Sequence, residues 1–114
     1  MTIVNVTRQT QLAQQVIVAN TPLERMQGLL NRESFLPQEA LVITQCSSIH
    51  MFFMKFAIDV VFVDKHNQVV GLCPHIKPFE VSPIFWKSAC AIELPAGTIK
   101  ATGTQVGDQL EFNK

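Results

Sequence analysis

The sequence predicts a mainly β fold: a small β-sandwich or a partly closed barrel of mostly antiparallel strands, with one short N-terminal helix. Short apolar or alternating runs rich in Val, Ile and Phe recur between turn signals, which is typical of half-buried strands. Only one segment combines a helix cap with helical spacing. The chain has 114 residues, of which 47% are hydrophobic and 16% charged, so it fits a single domain over residues 1–114 and is too apolar to be disordered.

The predicted strands are separated by turn signals. Residues 64–67, Asp-Lys-His-Asn, lie between two valine-rich runs and are predicted to form a hairpin loop. Gly107 and Asp108 mark a tight turn before the last strand. Segment 74–83 contains three prolines and is predicted as an irregular surface connection, because proline cannot donate to a central ladder. The predicted strands are 2–6, 15–19, 40–44, 49–53, 59–63, 68–73, 89–94, 98–101 and 109–112.

The predicted helix begins at Thr21. Thr21 at the N-cap, Pro22 at the first helical position and Glu24 at the third form a capping box with the preferred proline beside it. An apolar stripe at helical spacing follows, made of Leu23, Met26, Leu29 and Leu30.

The charge balance limits the classes of partner. Nine Lys and Arg residues match nine Asp and Glu residues, so the formal net charge is zero. We therefore expect no nucleic-acid partner and no membrane partner. The N-terminus shows no basic leader, and the longest apolar stretch, 51–63, is interrupted by Lys55 and Asp59, so neither a secretory signal nor a membrane span is expected.

The cysteines favour a cytoplasmic protein. Cys46, Cys73 and Cys90 cannot all pair within one chain, and they lack the CxxC spacing of zinc or thioredoxin-like sites. Reduced thiols are the simplest interpretation. The sequence contains no phosphate-binding glycine loop or other cofactor motif, so no cofactor is expected, and it does not indicate the oligomeric state.

Cys46, His50 and Met54 are spaced at i, i+4 and i+8, which places them on one face of a strand. Their chemistry fits a soft-metal site, but the copper-type arrangement also needs an upstream histidine, and His50 is the first in the chain. A nucleophilic Cys46–His50 pair is a second interpretation, which requires a turn because residues four apart on a strand are separated by roughly 13 Å. A buried Cys, a satisfied His and a core Met form the third interpretation, which we prefer, and no metal site is expected.

Asp59 and Glu93 each interrupt an apolar run. A buried carboxylate needs partners or it becomes protonated, so the two acids predict either buried ion pairs or the floor of a polar cleft. Arg25, Lys55 and Lys77 are the candidate partners. The alternative is that the acids lie at strand ends and bond to loop amides.

Four ordered motifs, within residues 24–30, 49–64, 92–98 and 106–108, resemble those of the domain-of-unknown-function family 192. The resemblance covers residues 16–112. Ala57 stands where proline is usual in that family, and Met51 stands where threonine is usual. The resemblance implies a compact, mainly β fold with one helix, and it implies no activity.

These observations predict a binding module whose cleft holds a small polar ligand or a peptide. The alternatives are a hydrolase that uses Cys46 or a His50/Asp59 combination, and a structural or interaction protein with an apolar surface over 79–86. His75 is predicted to stand at the rim of a cleft. The pattern specifies no catalytic residue, and the candidate ligand-binding residues are Arg25, Cys46, His50, Asp59 and Glu93.

Overall fold

A computed structural model describes residues 1–21, 24, 32–52 and 54–114. These residues are mainly β, as predicted, and none of the helices among them is long and apolar enough to cross a membrane. Their elements are β1 (Thr2–Asn5), β2 (Thr10–Ala13), β3 (Gln15–Ala19), β4 (Glu39–Thr44), β5 (Ile58–Val63), β6 (Val69–Ile76), β7 (Cys90–Pro95), α1 (Thr98–Thr102) and β8 (Leu110–Asn113).

The strands form two sheets. A three-stranded sheet has the order β2-β1-β8, and a five-stranded sheet has the order β3-β4-β7-β5-β6. Only β3 and β4 run parallel among the described strand pairs, so the prediction of mostly antiparallel strands is confirmed. Because the described strands divide between two separate sheets, they form no closed barrel, and the β-sandwich stays a prediction.

The prediction of a helix at the N-terminal end is wrong for the described residues, where α1 lies near the C-terminus. Residues 22–23 and 25–31, which hold most of the predicted helix, lie outside the described residues. Thr21 and Glu24 form the reciprocal capping hydrogen bonds, both at 3.1 Å. The strand predicted over 98–101 is instead α1, because the Asp59 carboxylate accepts the N–H groups of Gly97 and Ile99 at its start.

Several other local predictions can be compared directly. The 64–67 hairpin is confirmed: Asp64 Oδ1 accepts the N–H groups of His66 and Gln68, and Asn67 takes a φ of 63°. The described part of 49–53 is not a strand but a loop with one bridge between His50 and Val81. β2 was not predicted, because it is short and half polar.

Pro74 lies inside β6 rather than in the predicted irregular connection. β6 is an edge strand, and its pairing with β5 is interrupted by a bulge opposite Asp59. An edge bulge accommodates proline because no ladder hydrogen bond is lost there.

The core lies on both faces of the five-stranded sheet. On one face, the inter-sheet face, a cluster joins this sheet to the three-stranded sheet and α1; it contains Ile3, Leu12, Ala13, Ala40, Val42, Val61, Val63, Val69, Ile92, Leu94, Ile99 and Leu110. On the other face, the loop-covered face, residues from 49–54 pack onto the strands in a cluster of Ala19, Leu41, Ile43, Ile49, Met51, Met54, Ile58, Val60, Phe62, Ile76 and Ala91. Burial on both faces explains the nearly unbroken apolar runs in β4, β5 and β7.

Candidate functional site

Glu93 lies on β7, the central strand of the five-stranded sheet, and projects from the loop-covered face. It pairs across the sheet with Leu41 on β4 and with Val60 on β5. Cross-strand partners share a face, so the Glu93 carboxyl stands between two aliphatic side chains of the core. Its neighbours at two-residue spacing on β7 are Ala91 and Pro95, which are also apolar.

Glu93 is only 7% exposed. Burial, with no opposing cause, raises the pKa of its carboxyl to about 8. Desolvation disfavours the charged form, so the carboxyl is mostly neutral at pH 7. No described residue donates a hydrogen bond or forms an ion pair with it.

Three other carboxyls in the described part of the chain are as buried as Glu93, and each has partners. Asp59 accepts three backbone N–H groups, from His75 at 2.8 Å, Gly97 at 3.1 Å and Ile99 at 2.8 Å. Structural acids in this fold are therefore satisfied by hydrogen bonds, as buried polar groups generally are.

The remaining two buried acids follow the same rule. Glu39 forms a bidentate pair with Arg32, at 2.6 and 3.0 Å, which lowers the pKa of the Glu39 carboxyl. Asp108 accepts hydrogen bonds from Arg8 and Asn5, both at 3.0 Å, which together with the Gln105 N–H lower its pKa despite the opposing effect of burial. Glu93 is thus the exception among the four.

Glu93 keeps a narrow opening to solvent. Among the described residues, every side-chain nitrogen or oxygen that is fully sealed from solvent has a hydrogen-bond partner. The Glu93 carboxyl has none from those residues, so its oxygens are not fully sealed. The Glu93 carboxyl is therefore a largely buried acid among apolar side chains, and solvent can still reach its oxygens.

Loop residues pack on the sheet face from which Glu93 projects. Phe35 and Phe56 pack on this face and meet edge to face, with ring centroids 5.9 Å apart. Phe85 lies over Phe62 at 4.7 Å between centroids, and it crosses Gly71, where an added Cβ would stand 2.4 Å from the ring. Gly71 therefore lets this loop approach the sheet closely.

The structure separates the predicted site residues. Asp59 pairs with Leu94 on the inter-sheet face, whereas Glu93 projects from the loop-covered face. His50 is exposed and stacks on Phe52 with ring centroids 5.1 Å apart. Arg25 lies outside the described residues.

Cys46, His50 and Met54 do not share one strand face, because residues 46–54 form a loop in the part that is described. The Cys46 thiol donates to the Ser48 carbonyl at 3.1 Å, and Met54 is buried in the core. No cluster of three or more His, Cys, Asp or Glu side chains in the described ranges is placed to hold a metal ion.

A concavity lies at the edge of the five-stranded sheet, beside β6. Its volume is about 380 Å³, and His75 lines it, as predicted for this proline-flanked segment. Lys77 also lines it, whereas Lys55 pairs with Glu33 at 2.8 Å, so neither lysine pairs with Asp59 or Glu93. Glu93 is not among the residues that line this concavity.

The chain is similar to known proteins both in sequence and in fold. The model of the DUF192 family, described as an uncharacterized ACR family, matches residues 3–112. A UPF0127 protein of Pyrococcus furiosus is 32% identical over 116 residues, which cover 96% of this chain and 97% of that protein. A UPF0127 protein of Pyrococcus horikoshii is 29% identical over the same shares of the two chains.

Two crystal structures share the fold. A protein of unknown function from Novosphingobium aromaticivorans superposes with a TM-score of 0.84 at 18% identity, over 97% of this chain and 82% of the other. A proposed transcription regulator from Sinorhizobium meliloti superposes with a TM-score of 0.79 at 23% identity, over 96% and 89%. At these identities the likeness shows the fold alone.

Proposed function

The chain belongs to the DUF192 family, which is described as uncharacterized, and we propose that it is a binding module whose small ligand contacts Glu93 on the loop-covered face of the five-stranded sheet. The observation that carries this proposal is the Glu93 carboxyl, which is 7% exposed and has no hydrogen-bond partner among the described residues. A ligand that reaches this carboxyl supplies the missing partner.

The energetics support a ligand rather than a structural role. A buried polar group without a hydrogen bond costs roughly 1–3 kcal/mol relative to a satisfied one. Asp59, Glu39 and Asp108 avoid this cost with partners from the chain itself. The Glu93 carboxyl is largely desolvated and has no partner among the described residues, so it is a candidate functional group to which a ligand can supply a hydrogen bond.

The surroundings of Glu93 also support a binding site. Leu41 and Val60 flank the carboxyl, and the loops that cover it contribute Met51 and Met54. Ligand sites are typically apolar recesses with a few polar groups that fix orientation, and loops held by a rigid sheet commonly form them.

The hydrolase alternative is less well supported. Asp59 is 1% exposed on the inter-sheet face, and its oxygens are occupied by three backbone N–H groups. His50 lies in a loop above the opposite face, so the two groups are on different sides of the sheet and cannot form a catalytic pair.

Protein interaction is a second candidate function, because four apolar side chains in the 79–86 loop are exposed: Phe79, Val81, Ile84 and Trp86. Trp86 is 84% exposed and is the single tryptophan of the chain. Sedimentation of the wild type and of Trp86→Ser over a wide concentration range tests for self-association; a monomer at every concentration removes that form of the candidate.

The binding proposal can be tested by nitrogen-15 NMR titration with matched four-carbon probes: butyramide, butyrate, butylammonium and butanol. We expect at least one probe to give saturable shifts at the amides of Leu41, Val60 and Glu93. Glu93→Leu places an apolar side chain among the aliphatic neighbours, and it is expected to abolish those shifts. Glu111→Gln, an exposed change on the other sheet, is the control.

Retention of the dispersed wild-type spectrum by Glu93→Leu establishes that the variant is folded. The proposal fails if none of the four probes shifts these amides in the wild type. It also fails if a folded Glu93→Leu variant binds the same probe with unchanged affinity.

A further inference from the structure

We infer that the ligand held at Glu93 is an uncharged molecule that presents a hydrogen-bond acceptor beside a donor, as a primary carboxamide does, on a small apolar body. This inference rests on the proposed binding function and names the chemical class of the ligand. It follows from the groups that surround the carboxyl and from those that are absent around it in the described part of the chain.

The first step concerns charge. The residues paired with Glu93 across the sheet, Leu41 and Val60, offer no charge, and the neighbours on its own strand are apolar. The neutral carboxyl is the form that such surroundings favour, in agreement with a pKa of about 8. A ligand that binds the neutral carboxyl requires no charged group on either partner in these apolar surroundings.

The second step concerns the one guanidinium seen near this face. Glu39 lies two residues before Leu41 on β4, so it projects from the same face and is roughly 7–8 Å from Glu93 on the diagonal. Arg32 forms its bidentate pair with Glu39 and not with Glu93. The Arg32 guanidinium is therefore already neutralised, and no other described guanidinium pairs with Glu93.

The third step concerns the arrangement of hydrogen-bond donors and acceptors on the carboxyl and on its ligand. A neutral carboxyl has an O–H donor and a C=O acceptor on the same edge. A primary carboxamide has a C=O and an N–H on one edge, so the two groups form a pair of parallel hydrogen bonds. A trans secondary amide places its N–H and C=O on opposite edges and makes only one of these bonds.

The fourth step weighs a cationic ligand against the neutral one. An ammonium ion would require Glu93 to ionise among aliphatic side chains, and the desolvation of both ions then opposes their attraction. The neutral pair avoids this cost. The observed surroundings of Leu41, Val60 and Ala91 thus favour the amide.

Other titratable groups near this face have limited influence on the test. Glu39 is paired with Arg32, and burial raises the pKa of the Cys73 thiol, which lies one strand beyond Val60. His50 in the covering loop is exposed, as are Lys77 and Glu80 in the next loop. Cys46 packs at the margin of the cluster, and Lys55 in the covering loop pairs with Glu33.

The experiment measures the dissociation constants of butyramide, N-methylbutyramide and butylammonium at pH 7 and pH 9 by NMR titration. With a pKa of about 8, the fraction of protein whose Glu93 carboxyl is protonated falls about tenfold from pH 7 to pH 9. Because only the protonated form is expected to bind, the affinity for butyramide should fall about tenfold as well. N-methylbutyramide should bind at least about tenfold more weakly than butyramide, because it loses one of the two hydrogen bonds.

Two variants separate Glu93 from other titrating groups. Glu93→Gln keeps a neutral acceptor and donor on one edge, so it should bind butyramide with the same affinity at both pH values. His50→Gln should keep the wild-type pH dependence. Glu93→Leu should bind none of the amides.

The outcomes distinguish this inference from the proposed function. Butylammonium that binds more tightly at pH 9 than at pH 7, and more tightly than butyramide, overturns the uncharged class and leaves the binding proposal in place. Equal affinities for butyramide and N-methylbutyramide overturn the requirement for an adjacent donor. Absence of binding by all probes overturns both proposals.

Discussion

Asp59 and Glu93 lie on adjacent strands of the five-stranded sheet, one residue out of register, and project from opposite faces of it. Asp59 faces α1 and holds its first turn, whereas Glu93 faces the covering loops. Two acids with the same sequence context therefore have different physical roles. The difference arises from strand alternation, since neighbouring register positions project to opposite sides.

Asp59→Asn should destabilise the protein by about 2–4 kcal/mol. Both Asp59 oxygens accept backbone N–H groups, Oδ1 from His75 and Oδ2 from Gly97 and Ile99. The asparagine amide nitrogen cannot accept, so at least one N–H group must lose its partner. Urea unfolding monitored by circular dichroism measures the loss.

Asp64→Asn is the matched control. Asp64 accepts two backbone N–H groups through Oδ1 alone, so the asparagine oxygen can replace it, and the change should stay within about 1 kcal/mol. Equal losses for the two variants would contradict the role assigned to Asp59.

The locations of β4, β5 and β7 were predictable from the sequence, but the faces of the two acids were not. The apolar runs that became β4, β5 and β7 reflect local alternation and burial, which the residues themselves specify. The placement of β7 between β4 and β5 is a long-range pairing that no local pattern encodes. Glu39 was also missed, although its partner Arg32 is only seven residues earlier and an acid directly before the apolar run 40–44 was a visible signal.

Glu93→Gln should make stability less dependent on pH. The wild-type carboxyl has a pKa of about 8 when folded and 4.5 as its ordinary value, so the folded state binds more protons between these values. The free energy of unfolding of the wild type therefore falls as pH rises from about 4.5 to 8, by on the order of 5 kcal/mol. The glutamine variant has no carboxyl at position 93 to ionise. Its free energy of unfolding, relative to that of the wild type, should therefore rise from pH 5 to pH 9.

Thermal or urea unfolding of both proteins at pH 5, 7 and 9 measures this difference. Glu111→Gln, on an exposed site of β8, should follow the wild type at every pH. A constant difference between Glu93→Gln and the wild type across this range would show that the carboxyl is not neutral in the folded state.

Gly71→Ala should destabilise the protein by about 1–3 kcal/mol. The new methyl group would stand 2.4 Å from two carbons of the Phe85 ring, which also packs on Phe62. The ring has to move, because the glycine lies in β6 and its backbone is held by pairing with Phe62 on β5. Urea unfolding measures the loss.

Phe85→Leu in the Gly71→Ala background should recover part of the stability, because the smaller side chain leaves room for the methyl group. Gly103→Ala tests a different cause of destabilisation, since no atom lies within 4 Å of its added Cβ and only its positive φ opposes the change. Additive effects of Gly71→Ala and Phe85→Leu would contradict a direct contact.

Two of the incorrect local assignments, the strands predicted over 98–101 and 49–53, have a common origin. Thr98 and Ile99 are β-branched and predict a strand, but Asp59 supplies acceptors for the helix start and overrides that preference. Ile49 and Met51 have the composition of a strand, yet they cover the sheet instead of joining it, and their backbone groups bond to the 79–82 loop. In both cases the partner is distant in sequence, so composition alone could not identify it.

Cys90 should react with iodoacetamide about 100-fold more slowly in the folded protein than in the unfolded chain at pH 8. Burial, with a smaller effect of Cys46 nearby, raises the pKa of the Cys90 thiol from 9.0 to about 11, which reduces the thiolate fraction by about that factor. Mass spectrometry of the Cys90 peptide measures the rate with and without urea.

Because the thiolate is the reacting species, raising the pH from 8 to 9 should accelerate labelling of Cys90 in the folded protein about tenfold. A native rate equal to the rate in urea would show that Cys90 is neither desolvated nor protected by the sheet.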